Sequence, residues 1–132
     1  RSVVMYPKEL RYSTEHEWAK VEGKQVRVGI TKFAAEKLTD VVFVDLPQKG
    51  VKVGYMQPFG VIESVKAVSD LYSPISGTVV DVNTKLVDAP EVVNTDPYGE
   101  GWMILVQHED SKELGKLMNA DQYATMVGES GS

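Results

Sequence analysis

Short runs of β-branched and aromatic residues, each cut off by a turn-forming residue, set the tightest limit on what this chain can fold into. Residues 25–30, 41–46, 59–65, 68–73, 78–83 and 102–107 are six such runs, bounded by Gly, Pro, Asn or Asp. Runs of this length and composition form strands, because branched and aromatic side chains pack well on a pleated surface. Gly23, Gly29, Gly50, Gly54, Gly60, Gly77 and Gly101 punctuate them at short intervals. That spacing suits a small barrel or sandwich with tight corners.

Two segments read as helix. Thr31 is placed to cap residues 32–38, a stretch of good helix formers. Near residues 111–127, Leu114, Leu117 and Met118 fall at the i, i+3, i+4 spacing of a buried stripe. Gly115 weakens this second helix, so one continuous helix and a break around residues 119–121 with a new cap both remain open. After Val127 the sequence Gly-Glu-Ser-Gly-Ser predicts a flexible tail over 128–132, leaving 1–127 as one domain.

At 132 residues and 42% hydrophobic content the chain has enough apolar surface for one packed core. It has no cysteine, so disulfides, thiolate metal sites and catalysis by its own sulfur are excluded. Acidic residues number 19 against 14 basic ones, and no Lys/Arg cluster follows a phosphate backbone, which argues against nucleic acid as a partner. No stretch approaches the roughly 20 apolar residues of a membrane helix, and the N-terminal residues lack a signal-peptide layout, so a soluble intracellular chain is expected. His16 between Glu15 and Glu17 suggests a metal ligand, but the only other histidine is His108 and adjacent residues on a strand point to opposite faces, so no metal site is expected. Asp96-Pro97-Tyr98-Gly99 reads as a turn with a structural tyrosine rather than a phosphate loop, and Trp18 and Trp102 as core residues.

One junction departs from the pattern. The runs 59–65 and 68–73 meet at Val65-Lys66-Ala67, where no Gly, Asn or Pro marks a turn. If the two runs pair as a hairpin, Lys66 stands at its tip, with the backbone held by strands on both sides and the ammonium in water. A lysine in a strand or turn is ordinarily a solubilising charge, and this chain has eleven lysines. A rigidly displayed amine is also what a lysine-modifying enzyme requires, with Glu63, Ser69 and Asp70 near enough in sequence to be part of what it reads. The residues alone leave both readings open.

Glu-Ser-Val-Lys-Ala at 63–67, followed by Ser-Pro-Ile-Ser-Gly at 73–77, resembles the lipoyl-lysine signature of the glycine cleavage system H protein family. The likeness continues in Glu-His-Glu-Trp at 15–18, Val-Gly-Ile-Thr at 28–31, Val-Val-Phe-Val-Asp-Leu-Pro at 41–47 and Asn-Thr-Asp-Pro-Tyr-Gly-Glu-Gly-Trp at 94–102, in order and spacing, from about Leu10 to Tyr123. Biotinyl domains usually set their lysine between two methionines, whereas Lys66 lies between Val65 and Ala67. The lipoyl domains of 2-oxoacid dehydrogenases are shorter and lack the segments at 15–18 and 94–102.

The resemblance implies a mainly β barrel-sandwich hybrid of the lipoyl/biotinyl type, with a hairpin-borne lysine and a C-terminal helical region. It implies a non-catalytic carrier with lipoate covalently bound to Lys66. The partners it implies are glycine decarboxylase, aminomethyltransferase, dihydrolipoamide dehydrogenase and a lipoate ligase or lipoyltransferase. Glu63, Ser64, Val65 and Ala67 would be read by the modifying enzyme. Glu17, Glu15 and Asp70 would help hold the charged amine of the loaded arm against the carrier. Phe33 stands where some members have a histidine, and Leu105 where many have a lysine, a change expected to alter the surface. Two other readings stand beside this one: a relay protein that donates lipoate to other enzymes, and an unmodified interaction module. A monomer is expected, in the cytoplasm of a bacterium or in the mitochondrion of a eukaryote, the bacterial cytoplasm being favoured.

Overall fold

The computed structural model describes residues 6–128. All but one residue of the expected flexible tail therefore lie outside the described residues, as do residues 1–5. Six strands form one antiparallel sheet in the order β1-β2-β3-β9-β8-β5: β1 (Arg11–Tyr12), β2 (Glu17–Glu22), β3 (Gln25–Ile30), β5 (Lys52–Val53), β8 (Gly77–Val82) and β9 (Ile104–His108). Three more, β4 (Val41–Asp45), β6 (Pro58–Ser64) and β7 (Val68–Tyr72), form a second antiparallel sheet in the order β4-β6-β7. The core contains Val26 and Val28 of β3, Ile62 of β6, Leu71 of β7, Val79 of β8 and Ile104 and Val106 of β9, all essentially without solvent contact. Burying each such side chain stabilises the fold by about 1.5–3 kcal/mol. This is the mainly β barrel-sandwich hybrid that the resemblance implied.

Each strand-like run of the sequence contributes a strand, with boundaries moved by at most two residues and the run 25–30 reproduced as β3. β1, β2 and β5 were not among those runs. β1 and β5 are two residues long and have no periodicity to detect, and Glu-Trp-Ala-Lys-Val-Glu in β2 mixes strand and helix formers.

Helix α1 (Lys32–Leu38) begins where expected, with the Thr31 hydroxyl oxygen accepting the Ala34 N–H at 3.2 Å. The C-terminal region takes the broken form. A 3₁₀ turn at Ser111–Lys116 contains Gly115, and α4 (Ala120–Met126) starts afresh from an Asn119–Gln122 capping box. The expected stripe divides accordingly, Leu114 and Leu117 joining the main core and Met118 a second cluster.

Two single-turn helices, α2 (Lys85–Asp88) and α3 (Val92–Thr95), were not expected from sequence. α3 carries Asn94, whose side-chain amide donates to Thr39 O at 2.7 Å and whose carbonyl accepts the Val41 N–H at 2.9 Å. These bonds fix the end of α1 and the start of β4, and so help to position the smaller sheet.

The second cluster is aromatic: Tyr6, Tyr12, Trp18 and Tyr123 are buried together, Tyr12 and Tyr123 stacked with centroids 4.8 Å apart. Tyr12 and Met118 exchange two backbone hydrogen bonds of 2.8 Å, which tie the chain entering α4 to β1. Trp18 lies in this core as expected, but Trp102 is only partly buried, with the Arg27 guanidinium 4.4 Å from its ring. Leu105, expected to alter the surface, is 9% exposed in β9, so its effect falls inside the fold. No helix among the described residues is long and apolar enough to cross a membrane.

Candidate functional site

β6 and β7 pair through Glu63 opposite Val68, Ile62 opposite Ser69 and Val61 opposite Asp70. The Ser64 N–H donates to Ala67 O at 2.8 Å, leaving Val65 and Lys66 as a two-residue tip. Such tips ordinarily take Gly or Asn, because their usual turns need a left-handed residue. Neither Val65 nor Lys66 has a positive φ.

Ser64 explains how the turn closes without one. Its buried hydroxyl oxygen accepts the N–H of Lys66 at 3.1 Å and of Ala67 at 3.0 Å, while the Val65 N–H donates to Asp40 O at 3.0 Å. Every N–H from Ser64 to Ala67 is thus satisfied, and the tip is braced by a side-chain turn and by the chain entering β4. Lys66 is exposed on it, and its ammonium makes no ion pair or hydrogen bond among the described residues.

A groove of about 520 Å³ opens beside the hairpin, between β7, α1 and the turn that enters β2. It brings Glu15, Glu17 and Asp70 to one cavity, together with Ser69 and Phe33. Glu15 and Asp70 are exposed at its rim, while Glu17 is 2% exposed. The Glu17 carboxylate accepts the Ser13 hydroxyl at 2.6 Å and the Tyr72 N–H at 3.2 Å. Burial pushes this carboxyl up to about 8, with the two hydrogen bonds opposing the rise and neighbouring Glu15 adding to it.

Sequence reasoning missed Ser13, whose hydroxyl oxygen also accepts the Glu15 and Glu17 N–H groups at 3.2 and 3.1 Å. A serine two residues before an acidic turn is a side-chain turn signal that would have found it.

His16 does not lie on a strand, as an alternation of faces over residues 15–17 would require. It occupies a turn with φ 75°, its Nδ1 2.8 Å from the Tyr123 hydroxyl and its ring 5.0 Å from that of Phe33. Burial lowers its pKa, against the opposing effect of Glu15. Phe33 therefore packs as part of the groove wall. Among the described residues no group of three His, Asp or Glu is disposed to hold a metal ion. The Asp96–Gly99 segment is a turn whose Tyr98 hydroxyl accepts the Lys32 N–H at 3.0 Å, and Pro97 O accepts the Trp18 indole N–H at 3.0 Å.

These residues fit an acylated lysine. The amine is free and exposed, the backbone beneath it is braced, and a groove with apolar walls at Leu38, Ile62 and Leu71 and a buried carboxyl begins a few residues along β7. Four residues of strand span roughly 13 Å, within reach of a lysine lengthened by an eight-carbon acyl chain.

Fold and site together define a small barrel-sandwich domain that displays a lysine on a stiff hairpin beside an acid-lined groove. The family model for the glycine cleavage H-protein matches residues 10–130. Glycine cleavage system H proteins of Geobacillus thermodenitrificans and Bacillus subtilis are each 56% identical over 123 residues, covering 93% of this chain and 97% of theirs. The crystal structure of a glycine cleavage system H protein from Mycobacterium marinum superposes with a TM-score of 0.86 at 43% identity, covering 93% of this chain and 99% of that one. The chain belongs to the glycine cleavage H-protein family, whose members are carrier components of the glycine cleavage system rather than catalysts.

Proposed function

We propose that Lys66 is the attachment point for lipoate and that residues 1–127 act as one carrier domain. The domain takes the aminomethyl intermediate from glycine decarboxylase to aminomethyltransferase and passes reducing equivalents to dihydrolipoamide dehydrogenase. The observation that carries this reading is the exposed ammonium of Lys66, unpaired among the described residues, on a tip whose four backbone N–H groups are all satisfied. Lipoate supplies the disulfide and dithiol chemistry that a chain without cysteine lacks.

The chain's own residues display and shelter the arm. Ser64 holds the tip in one geometry, so that a modifying enzyme meets the amine with little ordering cost. Glu63, Val65 and Ala67 are the exposed groups around it that such an enzyme reads, and Ser64 acts from beneath them. At the groove, Glu17 is the buried acceptor for a cationic group, and Glu15 and Asp70 add negative potential at the entrance. A cation placed there returns Glu17 to its ionised form, because a nearby positive charge offsets the desolvation that keeps it protonated. The bacterial relatives favour the bacterial cytoplasm as the compartment, and a shuttle visiting several enzymes works as a monomer.

Intact-mass analysis of the chain made in lipoate-replete cells tests this directly. One lipoyl group on the peptide containing Lys66 is expected, none on Lys66→Arg, and glycine decarboxylation with the partner enzymes only for the modified wild type. A free Lys66 overturns the carrier reading. Lipoylation without support of glycine decarboxylation points instead to the relay role.

A further inference from the structure

Eight large hydrophobic residues are exposed among the described residues, and four of them, Val42, Phe43, Val65 and Val68, lie in the β4-β6-β7 sheet or at its Lys66 tip. Strand register explains the grouping. Phe43 pairs with Glu63, and Glu63 with Val68, so the three side chains form one row across the outer face of the β4-β6-β7 sheet. Phe43 is 51% exposed and Val68 65%, and Val65 at the tip is 69% exposed. An irregularity in the register between Val41 and Phe43 leaves Val42 exposed as well. Asp45 and Asp70 lie exposed in the next row, on either side of Val61. Beyond Phe43 the apolar surface continues into a groove of about 390 Å³ bordered by Leu46, Pro47, Val82 and Val87.

Resting on the reading of Lys66 as the lipoate acceptor, we propose that this acid-fringed apolar face is the docking surface of the enzyme that acylates Lys66. Reach separates that enzyme from the others that use the arm. A bare lysine side chain extends about 6 Å from its Cα, so an enzyme acting on the amine must bring its active site against the hairpin tip itself. Enzymes acting on the far end of an acylated lysine have the length of the acyl chain between their active sites and the tip. A specific interface covers on the order of 800 Å² per partner. Adjacent strands lie about 4.8 Å apart, so an interface centred on Lys66 takes in Val65, Val68 and Phe43. The occupant is a transferase with an apolar socket fringed by basic groups, which complements Asp45, Glu63 and Asp70.

The step it performs is acyl transfer from an acyl-adenylate. The neutral Lys66 amine attacks the acyl carbon, the C–N bond forms as the C–O bond to the phosphate breaks, AMP leaves, and the amine proton passes to solvent. The chain's contribution is to hold Nζ at a fixed place relative to the docked face.

The test measures acylation of the unmodified chain by a purified lipoate–protein ligase supplied with lipoate and ATP. Phe43→Thr/Val68→Thr puts a strand-favouring β-branched residue at both positions and removes the apolar side chains of the row. Its kcat/KM is expected to fall about ten-fold or more, the loss typical of truncating central interface side chains. Val21→Thr, which removes an exposed valine from the other sheet, keeps the wild-type value. After prolonged acylation, the lipoyl disulfide of the double variant is expected to be reduced by dihydrolipoamide dehydrogenase, with NADH as the electron donor, at the wild-type rate. Unchanged acylation by the double variant, or an equal loss in both reactions, overturns the docking surface while leaving Lys66 as the acceptor. Failure of the wild type to be acylated overturns the acceptor reading itself. Should the double variant unfold, Val65→Thr at the tip, outside strand pairing, reports on the same surface.

Discussion

The Tyr123 hydroxyl stands 2.8 Å from His16 Nδ1 and 2.8 Å from Thr31 Oγ1, so one residue of the last helix ties together the turn before β2 and the cap of α1. These are two sides of the groove that contains Glu17. Tyr123→Phe keeps the ring stacked on Tyr12 and removes only the hydroxyl. It is expected to lower unfolding stability by about 1–2 kcal/mol, read from the denaturation midpoint, because buried polar partners are left unpaired. Loss of protection at the amides around residues 13–17 in hydrogen exchange would place the weakened contact at the groove.

Glu17 makes stability depend on pH with a sign opposite to that of most carboxylates. In the folded chain it titrates near 8, against an ordinary value of 4.5 when unfolded. Between those values the folded state holds a proton that the unfolded state has released, so stability falls as pH rises through this window. Glu17→Gln removes the dependence. The variant is expected to gain on the wild type between pH 5 and pH 8, by an amount on the order of a few kcal/mol. Thermal unfolding of both forms across that range checks it, and parallel curves would refute the buried carboxyl as the cause.

Ser64→Ala withdraws the acceptor from two tip N–H groups at once. A loss of about 1–2 kcal/mol is expected, with faster amide exchange at Lys66 and Ala67 and no change at the centre of β6. Slower acylation of Lys66, with the amine equally exposed, would show that the brace rather than accessibility sets the rate.

Gly29 lies against the Trp18 indole, where an added Cβ would sit 2.6 Å from a ring carbon. Trp18 is fully buried and held by its bond to Pro97 O, so the ring cannot easily yield. Gly29→Ala is expected to destabilise the fold by about 1–3 kcal/mol, the usual range for overpacking a core. Far-UV circular dichroism and the unfolding midpoint measure it.

What could be read from the sequence was local. Thr31 announced α1 because a cap and the helix it starts are neighbours in the chain, and the hairpin was visible because two strand-like runs are separated by only two residues. The break before α4 was one of two open alternatives, and the Asn119–Gln122 pair that decides it lies only three positions apart. What was missed depends on distance. His16 meets Tyr123, 107 positions away, and α3 exists to bring Asn94 to Thr39 and Val41. Neither pairing leaves a periodic trace. For the same reason Glu17 was picked out as a carboxylate at the groove while its near-complete burial and its Ser13 partner were not.

The absence of any left-handed residue at the Val65-Lys66 tip separates shape from vocabulary. Because Ser64 and Asp40 close the loop through backbone groups, the positions flanking the lysine are not reserved for glycine or asparagine and can carry whatever letters a modifying enzyme selects. Libraries varied at 65 and 67 should therefore sort by which acyl donor accepts them, with foldability nearly constant across the set.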